Sequence, residues 1–121
     1  MDNLYKEELM EVYKNPPNRG VLKNPTSKST GKNPMCGDEI LLQLKIAGGK
    51  IADAKFDGSA CAVSVISSAL LTEHIIGKTI EEAKKLSKED LLQLIGLNLS
   101  TSRVKCATLV LNALHDALEG L

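Results

Sequence analysis

Tryptophan is absent from this chain, and only Tyr5, Tyr13 and Phe56 of its 121 residues are aromatic. So sparse a set excludes the stacking platforms that read bases or sugars and makes the core mostly aliphatic. An excess of charge of either sign is also missing, since fifteen Lys and Arg balance fifteen Asp and Glu. Affinity for phosphate backbones and anionic bilayers comes from clustered Lys and Arg, so no nucleic acid and no membrane is expected as a partner. No stretch reaches the roughly 18 apolar residues of a membrane span. Met1 to Tyr13 carries Asp2, Lys6, Glu7, Glu8 and Glu11 and so lacks the apolar region of a signal peptide. Cysteine is scarce as well, with thiols only at positions 36, 61 and 106 and no CxxC pair. An odd number of widely separated thiols suits a reducing compartment, and the expected location is cytoplasmic. Gly48-Gly49 and Gly31-Lys32 lack the spacing of a phosphate-binding loop.

What is present is a soluble composition, 43% hydrophobic and 25% charged, of a length suited to one domain over residues 1–121. Leu4, Tyr5, Leu9, Val12 and Tyr13 recur at helical spacing and predict a first helix from Asp2 to Tyr13, stopped by Asn15-Pro16-Pro17-Asn18. Asn15 to Gly37, rich in Asn, Pro, Gly, Ser, Thr and Lys, reads as a long loop. Ile40, Leu42, Leu44 and Ile46 alternate along one strand, Gly48-Gly49 turns the chain, and Ala52, Ala54 and Phe56 continue the buried face of a hairpin. Ala62 to Ile76 is a largely buried helix ending at Gly77. Thr79-x-x-Glu82 and Ser87-x-x-Asp90 are capping boxes that start short helices at Ile80 and Lys88, the second stopping near Gly96. After a polar connection from Asn98 to Ser102, Val104, Ala107, Leu111, Leu114 and Leu118 predict a last helix over Arg103–Leu118.

Each thiol falls at a junction of these elements. Cys36 closes the long loop in Asn33-Pro34-Met35-Cys36-Gly37-Asp38, Cys61 starts the buried helix behind Gly58, and Cys106 lies in the first turn expected of the last helix. Helix N-termini carry partial positive charge, which lowers thiol pKa values and raises thiolate content. Asp38 can bring a carboxylate to the same point as Cys36 by a turn at Gly37. Three sulfurs and one oxygen suit tetrahedral zinc or a small iron–sulfur cluster, but hold a cluster less firmly than four thiolates. The residues leave a second reading open, in which Cys61 and Cys106 are small buried hydrophobes and Cys36 an incidental loop thiol. His74 lies 13 residues past Cys61 on the same helix, about 20 Å away, and His115 about 13 Å from Cys106, so both stand apart from the thiols.

Asn33-Pro34-Met35-Cys36-Gly37-Asp38, Ala54-Lys55-Phe56-Asp57-Gly58-Ser59-Ala60-Cys61 and Arg103-Val104-Lys105-Cys106-Ala107-Thr108-Leu109, in that order, resemble the iron–sulfur assembly scaffolds of the IscU, SufU and NifU N-terminal family. Tyr13-Lys14-Asn15-Pro16-Pro17-Asn18-Arg19-Gly20 is similar to that family's sequence after its first helix. The resemblance covers almost the whole chain. It implies an α+β fold, a small antiparallel sheet (the hairpin plus a third strand) covered on one face by helices. It also implies that Cys36, Asp38, Cys61 and Cys106 meet as metal or cluster ligands, with Asp38 keeping the cluster labile. Lys105 stands where the IscU branch has histidine, and its ammonium would favour the Cys106 thiolate and attract persulfide. The SufU branch also lacks that histidine, but carries an insertion between its second and third cysteines that this chain does not have.

The implied function is a scaffold, not an enzyme. It would receive sulfur from a cysteine desulfurase, bind iron, build a transient [2Fe–2S] cluster and pass it to apo iron–sulfur acceptor proteins, a homodimer being compatible with this role. The alternative is a zinc-dependent sulfurtransferase of the SufU type that relays persulfide through the same four residues. A third is a structural zinc site, which predicts a sharp loss of thermal stability on chelation.

Overall fold

The computed structural model describes residues 3–34, 37–96 and 99–121, the first four of these by their backbone alone. The chain runs α1 (Asn3–Lys14), β1 (Ser27–Asn33), β2 (Asp38–Ala47), β3 (Lys50–Ser59), α2 (Ala62–Ile75), α3 (Ile80–Lys84), α4 (Lys88–Ile95), α5 (Thr101–Ala107) and α6 (Leu109–Leu118). The strands form one antiparallel sheet in the order β1-β2-β3, an α+β architecture. Ile40, Leu42 and Leu44 of β2 send their side chains to one face, where α6 lies against β1 and β2 and α2 against β3. Phe56, Leu71, Ile75, Val110, Leu114 and Leu118 close this layer and are among its least exposed side chains. Burial of such aliphatic groups stabilises by about 1.5–3 kcal/mol each, and this supplies the drive that the missing aromatics would otherwise give.

The β2–β3 hairpin follows from its alternation and from Gly48 and Gly49, whose φ values of 61° and 75° fit a two-residue turn of the primed kind. One detail differs from strict alternation. Lys45 pairs with Asp53 but Ile46 pairs with Ile51, so Ala52 is the extra residue of a bulge. Ala52, expected inward, is therefore exposed, and Ile51 fills the core position.

The long segment after α1 is not a free loop. Its second half is β1, an edge strand with Gly31 as its buried residue, paired with β2 from Ser27↔Leu44 to Asn33↔Asp38. Its first half is a strap along β3, in which Phe56 N–H donates to the Asn18 carbonyl (3.0 Å) and Gly20 N–H donates to the Phe56 carbonyl (2.9 Å). The strap thereby covers edge groups of β3 that would otherwise be open to pairing. Gln43, only 2% exposed, holds the strap from the other face of the sheet: its Oε1 accepts from Leu22 N–H (2.9 Å) and its Nε2 donates to the Gly20 carbonyl (3.2 Å).

Helices α3 and α4 start at complete capping boxes. Thr79 and Glu82, and likewise Ser87 and Asp90, exchange side-chain and backbone hydrogen bonds, and Gly96 ends α4 in the left-handed region. The Thr79 N–H, then the Thr79 hydroxyl, hold the Glu82 carboxyl below its ordinary 4.5, and the Ser87 N–H and hydroxyl hold Asp90 below 3.8. Carboxyl groups depressed in the folded state contribute stability that is present above their ordinary values and is lost as pH falls through the depressed ones. Thermal melts are therefore expected to show these caps' contribution intact at pH 6 and fading below about pH 4.5, with a shallower acid limb in the double variant Glu82→Gln/Asp90→Asn. An unchanged acid limb in that variant would remove the caps as its source.

The C-terminal region also departs from the single helix expected over 103–118. α5 begins at Thr101 after Ser100, whose side chain makes no cap, and a break at Thr108 separates it from α6. Thr101 and Ser102, expected in a polar connection, are thus helical, and Cys106 lies in the last turn of α5.

Candidate metal centre

Asp38 is the first residue of β2 and pairs with Asn33, the last of β1, whose carbonyl accepts from the Gly37 N–H (2.8 Å). Its side chain is 6% exposed and points toward the start of α2. Oδ1 accepts from Cys61 N–H (3.1 Å) and Oδ2 from the Ser64 hydroxyl (2.9 Å). Cys61 is the N-cap of α2 but makes no side-chain cap itself. Asp38 accepts the N–H of the N-cap residue from another element, as the N3 carboxylate of a capping box does, placing negative charge where the helix N-terminus favours it. Burial pushes the Asp38 carboxyl up, but hydrogen bonds from the Ser64 hydroxyl, the thiol and N–H of Cys61 and the thiol of Cys106 outweigh it and bring the carboxyl below its ordinary value.

Around this carboxylate the two thiols converge. The Cys61 thiol is half-buried and that of Cys106 is buried. One carboxylate oxygen of Asp38 and the Sγ atoms of Cys61 and Cys106 all lie within 4.8 Å of one another. In a tetrahedral zinc site with bonds of about 2.3 Å, ligand sulfurs stand about 3.8 Å apart, so small side-chain rotations would close this set on a metal. The donor chemistry, two sulfurs and one oxygen, suits zinc or iron. Of the four ligands expected from the sequence, three are thus brought together. Cys36 lies outside the described residues.

Cys61 stands at a helix start, as expected, but Cys106 does not. Because α5 begins early and breaks at Thr108, Cys106 sits at a helix end, where carbonyls and not N–H groups are left over. Lys105 is exposed and faces a cleft of about 210 Å³ lined also by Lys32, Asn33, Thr108, Leu109 and Asn112. His74 is exposed, and the His115 ring contacts the Leu86 carbonyl at 3.0 Å, so neither belongs to the cluster.

Two residues of the site were not found by sequence reasoning. Ser64 is 1% exposed and touches Asp38, Cys61 and Cys106. Its signal was a polar residue three positions after a helix-start cysteine, which Ser67 and Ser68 in the same helix made less conspicuous. Arg19 donates to the Gly58 carbonyl (2.9 Å), pairs with Asp57 (3.7 Å) and lies over the Phe56 ring (5.9 Å). It braces the end of β3 from which the chain turns into Cys61.

Similar proteins cluster in one group. The chain is 39% identical to the zinc-dependent sulfurtransferase SufU of Bacillus subtilis, covering 98% of this chain and 91% of that one. It is 37% identical to the iron–sulfur cluster assembly scaffold protein IscU of Thermotoga maritima, over 88% of this chain and 75% of the relative. Among solved structures, an iron–sulfur cluster assembly scaffold protein for the SUF system from Fervidobacterium islandicum superimposes with a TM-score of 0.79 at 31% identity, covering 93% of this chain and 95% of that one. Since the family match runs from residue 4 to residue 120 and so takes in the sheet, the helices and the thiol cluster together, the chain belongs to the NifU-like N-terminal domain family.

Proposed function

We propose that this protein is a scaffold on which an iron–sulfur cluster is built as cargo and then released. The observation that carries this reading is the convergence of Asp38, Cys61 and Cys106 within 4.8 Å, with an oxygen donor in place of a further sulfur. Cys36, two residues before Asp38 in the chain, is the proposed fourth ligand. Sulfur arrives as a persulfide on a cysteine desulfurase. A scaffold thiolate attacks its terminal sulfur, the donor S–S bond breaks, and the donor thiolate leaves. Lys105, next to Cys106 in the sequence and exposed, is the cation proposed to attract the persulfide anion as it arrives. External reductant converts the bound sulfur to sulfide as iron enters, and an apo-acceptor takes the [2Fe–2S] unit by ligand exchange. The IscU relatives support this reading.

The second reading is a zinc-dependent sulfurtransferase, favoured by the SufU relative and by Lys105 in place of a histidine. Asp38, Cys61, Cys106 and Cys36 would hold the zinc, which would keep the thiols deprotonated. Anaerobic reconstitution with iron, cysteine, a desulfurase and a thiol reductant, followed by addition of an apo-ferredoxin, separates the two. A cluster spectrum that forms and moves to the ferredoxin supports the scaffold. Retained zinc, no cluster, and faster desulfurase turnover on adding this protein would replace it by the sulfur relay.

Asp38→Ala is expected to lengthen the life of the assembled cluster about threefold or more, because it removes the hard oxygen at which ligand exchange begins. Decay of the cluster's visible absorption checks this, and an equally short-lived cluster in the variant would sink the role given to Asp38.

A further inference from the structure

Ser64 is the point at which the sheet and both thiol-bearing helices meet. Its hydroxyl lies 2.9 Å from Asp38 Oδ2 on β2 and 2.9 Å from the Cys106 carbonyl on α5, and the Cys61 thiol reaches its Oγ at 3.7 Å. At 1% exposure no solvent competes for these bonds. The carbonyls of Cys106 and Ala107 belong to the end of α5, where intrahelical donors run out. Ser64 and Ser67, one turn apart on α2, donate to these two carbonyls. Ser67 stops there, whereas the single proton of the Ser64 hydroxyl is shared between the Cys106 carbonyl and the Asp38 carboxylate.

We propose that Ser64 is a positioning residue of the metal centre, which orients the Asp38 carboxylate and fixes the Cys106 backbone so that their donor atoms face Cys61 before metal arrives. This rests on the metal-centre reading above. A hydroxyl that touches one candidate ligand by its carboxylate, another by its carbonyl and a third by its thiol restricts all three at once. Outer partners of this kind commonly change metal affinity by about 10–100-fold. Ser67→Ala is the internal control, because it removes a comparable buried bond to the same helix end without touching Asp38.

The test is Zn(II) affinity by competition with a chromophoric chelator, together with the thiolate-to-metal absorption of the Co(II) form. Ser64→Ala is expected to bind Zn(II) about tenfold or more weakly and to give an altered Co(II) spectrum, with Ser67→Ala within about threefold of wild type. In the Asp38→Ala background the Ser64 substitution should cost less than it does alone, since the part of its effect that runs through the Asp38 contact is already lost. Wild-type affinity in Ser64→Ala, an equal loss in Ser67→Ala, or full additivity with Asp38→Ala would each overturn the proposal while leaving the metal centre standing. A wild-type protein that binds neither Zn(II) nor Co(II) would overturn both. Should Ser64→Ala fail to fold, Ser64→Thr, which keeps the hydroxyl, is expected to retain near-wild-type affinity, and a tenfold loss in soluble Ser64→Thr would count against the role.

Discussion

Gly58→Ala is expected to lower the free energy of unfolding by about 3 kcal/mol or more, a large part of the stability of a domain this size. Two causes act together. Gly58 has φ of +130°, a conformation that side chains of L-residues rarely adopt, and a Cβ there would overlap the Glu39 carbonyl oxygen of β2. Neither atom can retreat cheaply, because Ile40 pairs with Gly58 across the ladder and Arg19 holds the Gly58 carbonyl. Gly48→Ala supplies the comparison: its φ is +61° but nothing lies within 4 Å of the new Cβ, so only the conformational cost of about 1 kcal/mol is expected. Urea unfolding of both variants measures the difference, and equal losses at the two positions would show that the Glu39 contact is not the cause. Because Gly58 lies three residues before Cys61, metal affinity should fall with stability in Gly58→Ala.

Cys61→Ser and Cys106→Ser are each expected to weaken Zn(II) binding by about a hundredfold or more, the second largest effect foreseen. A hydroxyl stays protonated at neutral pH and is a hard donor, so each substitution removes one thiolate from a set that has few to spare. The two variants should differ in the metal-free protein. Cys61 is half-buried at the N-cap of α2, a position where serine is favoured, so its melting temperature without metal should stay near wild type. Cys106 is 5% exposed, and a hydroxyl there must find a partner or cost about 1–3 kcal/mol. Chelator competition gives the affinities and melts of the metal-free proteins give the stabilities. Retained Zn(II) affinity in either variant would remove that thiol from the centre.

How far these features could be read in the sequence depended on whether each left a one-dimensional trace. The hairpin did, because Ile40, Leu42 and Leu44 alternate and two glycines follow. The capping boxes of α3 and α4 did, because a local hydrogen-bond exchange leaves a fixed spacing. β1 did not: Ser27-Lys28-Ser29-Thr30-Gly31-Lys32-Asn33 holds no large apolar side chain, and its strand form comes from backbone pairing with β2 and from α6 packed over Gly31. The break between α5 and α6 was hidden for a related reason. Val104, Ala107, Leu111 and Leu114 keep helical spacing straight through it, and Ser100 makes no side-chain cap that would have marked the start of α5. The cysteine positions and Asp38 stood out as residue types with chemistry of their own. Ser64 did not, because its importance lies in partners 26 residues upstream and 42 downstream.

Those long separations bear on when the centre can exist during synthesis. Asp38, Cys61 and Cys106 are set by the start of β2, the start of α2 and the end of α5, and α6 must pack over β1 and β2 to complete the layer between them. A chain emerging from the ribosome N-terminus first has both strands of the hairpin and the Cys61 helix long before residue 106 clears the exit tunnel. Until then Ser64 lacks its Cys106 acceptor and Asp38 faces one thiol of the pair, so a nascent chain has no complete pocket for a metal. The complete set of donors therefore exists only once the C-terminal helices have docked on the sheet.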